Sequence, residues 1–148
     1  PRAEALLYAA DRAHHVETVI KPALAKQTVV ITDRYIDSSI AYQGGGRVLS
    51  GQEIARISRW ATDGLTPTLT ILLDLPAQIG FGRFAERDRL ESEPLDFHER
   101  VRSTFLERAA LYSDRYLVVD ATQSKEDISA QILERVLRLN SISRLKDK

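Results

Sequence analysis

The chain has 148 residues, and its 21 lysines and arginines balance 21 aspartates and glutamates. With 43% apolar and 28% charged residues it lies in the ordinary globular range. That excludes a disordered chain and a general binder of nucleic-acid polymers, because no basic excess exists to release counterions. There is no cysteine, so disulfides, thiolate metal sites and cysteine nucleophiles are excluded. No apolar run is long enough to span a bilayer and no secretory signal opens the sequence, so the expected compartment is the cytoplasm. The length suits a single domain over 1–148. The chain begins at Pro1 and holds no methionine, as expected of a processed chain, a fragment or a sequence with residues missing. Among the basic residues 16 are arginine and 5 lysine; the arginine fork suits bidentate binding of phosphate.

In chain order, apolar residues at helical spacing (Leu6, Leu7, Ala10, Ala13, Val16, Ile20) predict a helix over Ala3–Lys26 that Pro22 kinks or restarts. Thr28–Thr32 reads as a strand buried on both faces. A short helix over Ser38–Tyr42 and a flexible Gly44–Gly46 follow. Ser50 and Glu53 form a capping box opening a helix to about Thr62, with Gly64 at its end. Leu69–Asp74 is a second buried strand, and Pro76 starts a helix to about Glu86. A charged segment interrupts the pattern over Arg87–Pro94. Asp96 and Glu99 form a capping-box-like start for a helix to about Tyr112, Tyr116–Asp120 is a third strand, and Ser124 caps a last helix to about Leu139. Strands alternating with helices predict an α/β fold: a parallel sheet with helices on both faces, in three α/β/α layers. Ligands then bind at the strands' carboxyl ends, here Asp33–Arg34, Asp74 and Asp120–Gln123. Three strands are few, and the first helix has no strand before it. A missing first βα unit explains both.

Several clusters suit phosphate and nucleotide chemistry. Arg34 after the first strand can hold a phosphate through two charge-assisted bonds, with Asp33 ordering it, binding a metal-bound water or accepting a proton. Tyr8 and Arg12, four residues apart, share a helix face and together can stack on a base and bond its edge. Ser38, Ser39, Tyr42 and Gln43 offer neutral hydrogen-bonding groups suited to a sugar and a base. Arg83, Arg87 and Arg89 can neutralise charge on a transferring phosphoryl group. Each cluster also has a plainer reading: an ion pair, core packing, capping serines, a solvated charged face. Glu99 is explained by capping unless it faces the crevice. His14, His15 and His98 show no metal-ligand spacing.

Five segments in order resemble bacterial thymidylate kinase, of the P-loop nucleoside monophosphate kinase group. They are Leu7–Ala13; Asp33–Tyr35 with Ser38–Gly44; Trp60–Leu65; Ile71–Leu75; and Asp88–Glu91 with Asp96–Arg100. Asp120-Ala-Thr122 closes the series, and the likeness runs from about Pro1 to about Leu139. The resemblance implies a homodimeric dTMP kinase of dTTP synthesis that uses ATP and Mg2+. It implies that Tyr8 stacks on thymine and that Arg12 bonds a thymine carbonyl. Ser39 stands where the family has a polar residue at the base edge, beside Ser38 and Gln43. Tyr42 packs where a 2′-hydroxyl would sit, and Arg34 binds the thymidylate phosphate. Asp33 supports the phosphate and metal region, with Glu99 a further candidate there. The lid, about 83–94, supplies Arg83 and Arg87 to ATP and catalysis, Arg87 doing the work of a P-loop arginine. Ala121 and Thr122 pass the adenine.

The sequence departs from the family at the phosphate cradle. No G-x-x-x-x-G-K-[ST] is present, and no lysine–serine or lysine–threonine pair follows Gly44–Gly46. The lid is also short. The chain therefore reads as the C-terminal two thirds of such a kinase, not expected to catalyse alone. A non-catalytic α/β module binding a nucleotide or a partner is the rival expectation.

Overall fold

The computed structural model describes residues 1–45, 50–81 and 93–139. The chain divides into two compact units, Pro1–Thr66 with Asp96–Phe105, and Pro67–Leu95 with Leu106–Lys148.

In the first unit, α1 (Arg2–His15) runs through a π-helical turn (Val16–Ile20) into α2 (Lys21–Ala25). Pro22 sits in the first turn of α2, and the Lys21 N–H reaches back five residues to the Val16 carbonyl. A proline ring collides with the carbonyl four residues before it, here that of Thr18, and the wider turn relieves this. The buried line of this helix is Ala5, Ala9, Val16 and Ile20. This corrects the expected face: Leu6 is exposed, Leu7 is 71% exposed, and Ala10 is exposed. Both registers fit a 3.6-residue period. The alanine register lets the helix that carries Ile54 come close, and Ala5 packs with Ile40 and Ile54.

Residues 28–32 do not form the expected buried strand. No described strand pairs with them, and Ile31 is 92% exposed. β-branched residues favour extended backbone, but a ladder needs a partner edge. Arg34 follows with a positive φ of 64°. Next, α3 (Ile36–Ser39) continues into a second π-helical segment, Ile40–Gly45. α4 (Gly51–Ala61) starts at Ser50 as expected, though no side chain caps it. At its far end the Asp63 N–H donates to the Trp60 carbonyl (3.2 Å) and the Gly64 N–H to the Arg59 carbonyl (2.9 Å). This is a Schellman closure in which both residues are left-handed, Asp63 at φ 51° and Gly64 at φ 71°.

α6 (Leu95–Leu111) contributes its first half to this unit. Its N-cap is Pro94, without a side-chain cap, so Asp96 and Glu99 do not form the expected capping box. Pro94 is already fixed near the helix entry, and Asp96 falls inside the first turn, where it favours the helix dipole. Phe97 and Val101 lie in a buried cluster with Ala41, against Tyr42 and Phe105.

In the second unit, β1 (Thr70–Asp74) and β2 (Tyr116–Asp120) pair in parallel, from Thr70 opposite Tyr116 to Asp74 opposite Asp120. The expected burial on both faces is corrected by the half-exposed side chains of Leu73 and Val118. Two described strands cover less than the three expected from the apolar runs. Between them lies α5 (Ala77–Phe81), started by Pro76, whose carbonyl accepts from the Ile79 N–H (2.9 Å). A single 3-10 turn, Ser113–Arg115, leads into β2. Arg115 donates to Thr70 Oγ1 (2.7 Å) and packs over Tyr112 and Tyr116. α7 (Lys125–Leu137) has the expected cap: Ser124 Oγ accepts from the Asp127 N–H (3.1 Å).

Candidate active site

Most of the nucleotide-binding residues expected from the sequence lie in the first unit, on α1 and on the stretch from Asp33 through the second π-helical segment. Glu4, Tyr8 and Arg12 recur every four residues along α1, which places them on one face. Tyr8 is 41% exposed, so its ring can accept a stacked partner.

Arg12 is half-buried. Its Nη2 donates to Ser39 Oγ (3.1 Å), and its guanidinium lies 5.7 Å from the centre of the Tyr35 ring. Its Nη1 is buried without a hydrogen-bond partner. Burial pushes Arg12 below the usual guanidinium value, against the opposing pull of Tyr35, Asp11 and Asp37. Arginine nevertheless stays charged in proteins, so a buried N–H aimed at nothing is a costly donor that favours an acceptor. Ser39 is buried, which fixes the partner of Nη2.

Arg34 is exposed, and its guanidinium sits 5.2 Å from the centre of the Tyr42 ring. The left-handed backbone at a non-glycine residue is sparsely populated and clusters at functional sites. Thr32 Oγ1 supports it by donating to the Arg34 carbonyl (3.1 Å). Asp33 is exposed. Ser38 is half-buried, and its N–H closes a turn onto the Tyr35 carbonyl (3.1 Å). Gln43 is buried and donates through Nε2 to Glu4 Oε1 (3.1 Å), tying the second π-helical segment to α1.

The structure thus brings Arg12 together with Ser39, and Arg34 with Tyr42. Asp37 and Glu4 were missed as members of this cluster, and Tyr35 was legible only as part of the Asp33–Tyr35 motif, without a role of its own. The four-residue spacing from Glu4 to Tyr8 to Arg12 is the signal that could have found Glu4. Tyr35 donates to the Leu65 carbonyl (3.2 Å), and burial pushes its phenol above the ordinary value despite a bond to Thr62 and the charge of Arg12. In the second unit, Thr122 donates through both its N–H (2.8 Å) and its hydroxyl (2.7 Å) to Asp120 Oδ1. These bonds hold the Asp120 carboxyl below its usual value. The Ala121 N–H donates to the Asp74 carbonyl (2.8 Å), joining the carboxyl ends of the two strands. Arg83, Arg87 and Arg89 lie outside the described residues, as does most of the expected lid. Glu99 is half-buried on α6. Among the described residues no three His, Cys, Asp or Glu side chains come together to hold a metal ion, and no helix is long and apolar enough to cross a membrane.

The sequence profile of the family described as "Thymidylate kinase" matches residues 1–132. The chain belongs to the thymidylate kinase family. The thymidylate kinase of Clavibacter michiganensis subsp. michiganensis is 57% identical over 143 residues, which is 94% of this chain and 68% of that protein. That of Clavibacter sepedonicus is 59% identical over 139 residues, 91% of this chain and 66% of the relative. That of Leifsonia xyli subsp. xyli is 56% identical over 137 residues, 89% and 64% respectively. The chain therefore spans about two thirds of the length of these relatives. Thymidylate kinases are ATP-dependent phosphotransferases with the P-loop kinase fold, an α/β architecture, and the helices and parallel strand pair described above agree with it.

Proposed function

We propose that the protein phosphorylates thymidine monophosphate with ATP, and that this chain supplies the acceptor side of the reaction. The observation that carries this reading is Arg12, a half-buried arginine whose Nη2 is held by Ser39 and whose buried Nη1 has no partner, one helical turn from the exposed Tyr8. Tyr8 offers a stacking face for a base. The free N–H of Arg12 suits a ring carbonyl, as thymine has, and repels the amino group that cytosine presents there. Tyr42 takes the sugar side, where bulk disfavours a 2′-hydroxyl, with Ser38 and Gln43 beside it. Arg34, exposed next to that ring, holds the phosphate, and Asp33 flanks it.

Catalysis in such a reaction consists mainly of aligning the two phosphates and neutralising charge. Arg83 and Arg87 are proposed for the phosphoryl group, and Ala121 and Thr122 for the adenine end of ATP. The described carboxylates do not build a metal cage. The proposed Mg2+ enters with the ATP phosphates, as this ion commonly does, and neither Asp33 nor Glu99 is assigned to it alone. A homodimer is proposed as well; Leu6 and Leu7 offer an exposed apolar strip on α1. The cytoplasm, where ATP and thymidylate are formed and used, is the proposed compartment.

A coupled assay on the full-length protein, with ATP and a panel of nucleoside monophosphates, tests the reading. Thymidylate is expected to be the preferred acceptor. Deoxycytidylate as the better acceptor would overturn the base-reading role of Arg12 and Ser39. No phosphorylation of any monophosphate would leave a nucleotide-binding module instead.

A further inference from the structure

We infer that Phe97 and Phe105 are positioning residues for Arg34, acting through the ring of Tyr42. The inference rests on the proposed role of Arg34 as the thymidylate phosphate ligand.

An exposed arginine has many rotamers, and each bond it makes to a phosphate must first freeze them. Here the guanidinium lies 5.2 Å from the centre of the Tyr42 ring, within the range of cation–π attraction. That ring is itself held. The Phe97 ring lies 6.2 Å from it at 57°, and the Phe105 ring 6.3 Å away at 77°, an edge-to-face contact. Both distances fall within the range of favourable aromatic pairs. Phe97, Val101 and Phe105 are four residues apart, so one face of α6 presents them. Phe97 and Val101 are buried with Ala41, the residue next to Tyr42, which anchors this face in the core of the first unit. The aromatic pair on α6 fixes the ring, and the ring fixes the guanidinium on a backbone already set at φ 64°. Neither phenylalanine needs to touch the nucleotide to act in this way.

The test compares affinities for thymidylate and for thymidine, which lacks the phosphate, in the full-length protein by calorimetry. Phe105→Leu is expected to weaken thymidylate binding about two- to fivefold more than thymidine binding, the worth of one exposed cation–π contact, since thymidine meets the Tyr42 ring only through its sugar. Phe105→Tyr, which keeps the ring, is expected to retain the wild-type ratio. In an Arg34→Ala background, Phe105→Leu is expected to add no further change to the ratio. Equal losses for both ligands, or a further loss in the Arg34→Ala background, would overturn the inference and leave Phe105 a purely structural residue. A wild-type protein that prefers thymidylate while Phe105→Leu keeps the same ratio overturns the inference alone. A wild-type protein that binds thymidine as tightly as thymidylate overturns the role of Arg34, and the inference with it. Should Phe105→Leu not fold, the Arg34 Nε–H resonance supplies the answer. It is expected to show a ring-current shift that Tyr42→Leu removes, and its insensitivity to Tyr42→Leu would refute the contact.

Discussion

Arg12 and Arg34 show how surroundings divide work between identical side chains. Arg12 is half-buried, held by Ser39 through Nη2 and left with a buried, unpartnered Nη1, an arrangement that can discriminate between acceptors and donors on a base. Arg34 is exposed and rests on an aromatic face, which suits a ligand that brings its own charge. Arg34→Ala is accordingly expected to raise the KM for thymidylate by about tenfold or more, the worth of a charged hydrogen bond, with the KM for ATP unchanged. Equal losses for both would refute the assignment. Tyr35 gives a pH signature. Burial raises its phenol pKa in the folded state, so its stabilising contribution is full below the unfolded value of about 10 and is lost as pH rises through the folded value. Tyr35→Phe is expected to reduce the fall in Tm above about pH 10; an unchanged alkaline profile would assign that fall to other groups. The types and spacing of Tyr8 and Arg12 were legible in the sequence. Their supports were not, because Glu4, Tyr35 and Asp37 are ordinary residues until the helices meet.

At the scale of elements, helix ends were readable where a side chain makes the cap. Ser124 caps α7 as expected, and Ser124→Ala is expected to cost about 1 kcal/mol of stability in thermal or denaturant unfolding. A loss below a few tenths would show that Asp127 finds another partner. Capping-box letters at Asp96 and Glu99 misled because Pro94 sets the helix entry two residues earlier. The run Thr28–Thr32 has the composition of a strand but no described partner edge, and composition cannot supply one. Glycines mark two constraints of different kinds, one of space and one of backbone conformation. A Cβ at Gly45 would lie 2.0 Å from Thr104 Oγ1 and 2.9 Å from Thr104 Cβ, so Gly45→Ala is expected to cost about 1–3 kcal/mol by overpacking. At Gly64 nothing crowds the added Cβ, and Gly64→Ala is expected to cost only about 1 kcal/mol, for the φ of 71° alone. A larger loss at Gly64 than at Gly45 would contradict this ordering.

Over the whole molecule, a net charge of zero conceals a surplus of arginine over lysine, 16 to 5. Two of these arginines, Arg12 and Arg34, stand within one compact unit beside hydroxyls and aromatic rings, as nucleotide recognition requires. Motif order along the chain made the family legible, since each segment carries its own chemistry in a fixed succession. The helix-strand alternation was legible too, whereas the choice of buried face on α1 was not, because leucine and alanine registers share one period. The measurement that bears most directly on the central claim is the ratio of kcat/KM for thymidylate over deoxycytidylate, in wild type and in Arg12→Ala. The wild-type protein is expected to favour thymidylate, and the substitution to shrink that preference by about ten- to a hundredfold, as loss of a charged hydrogen bond to the base would. A preference that survives Arg12→Ala unchanged would contradict the base-reading site.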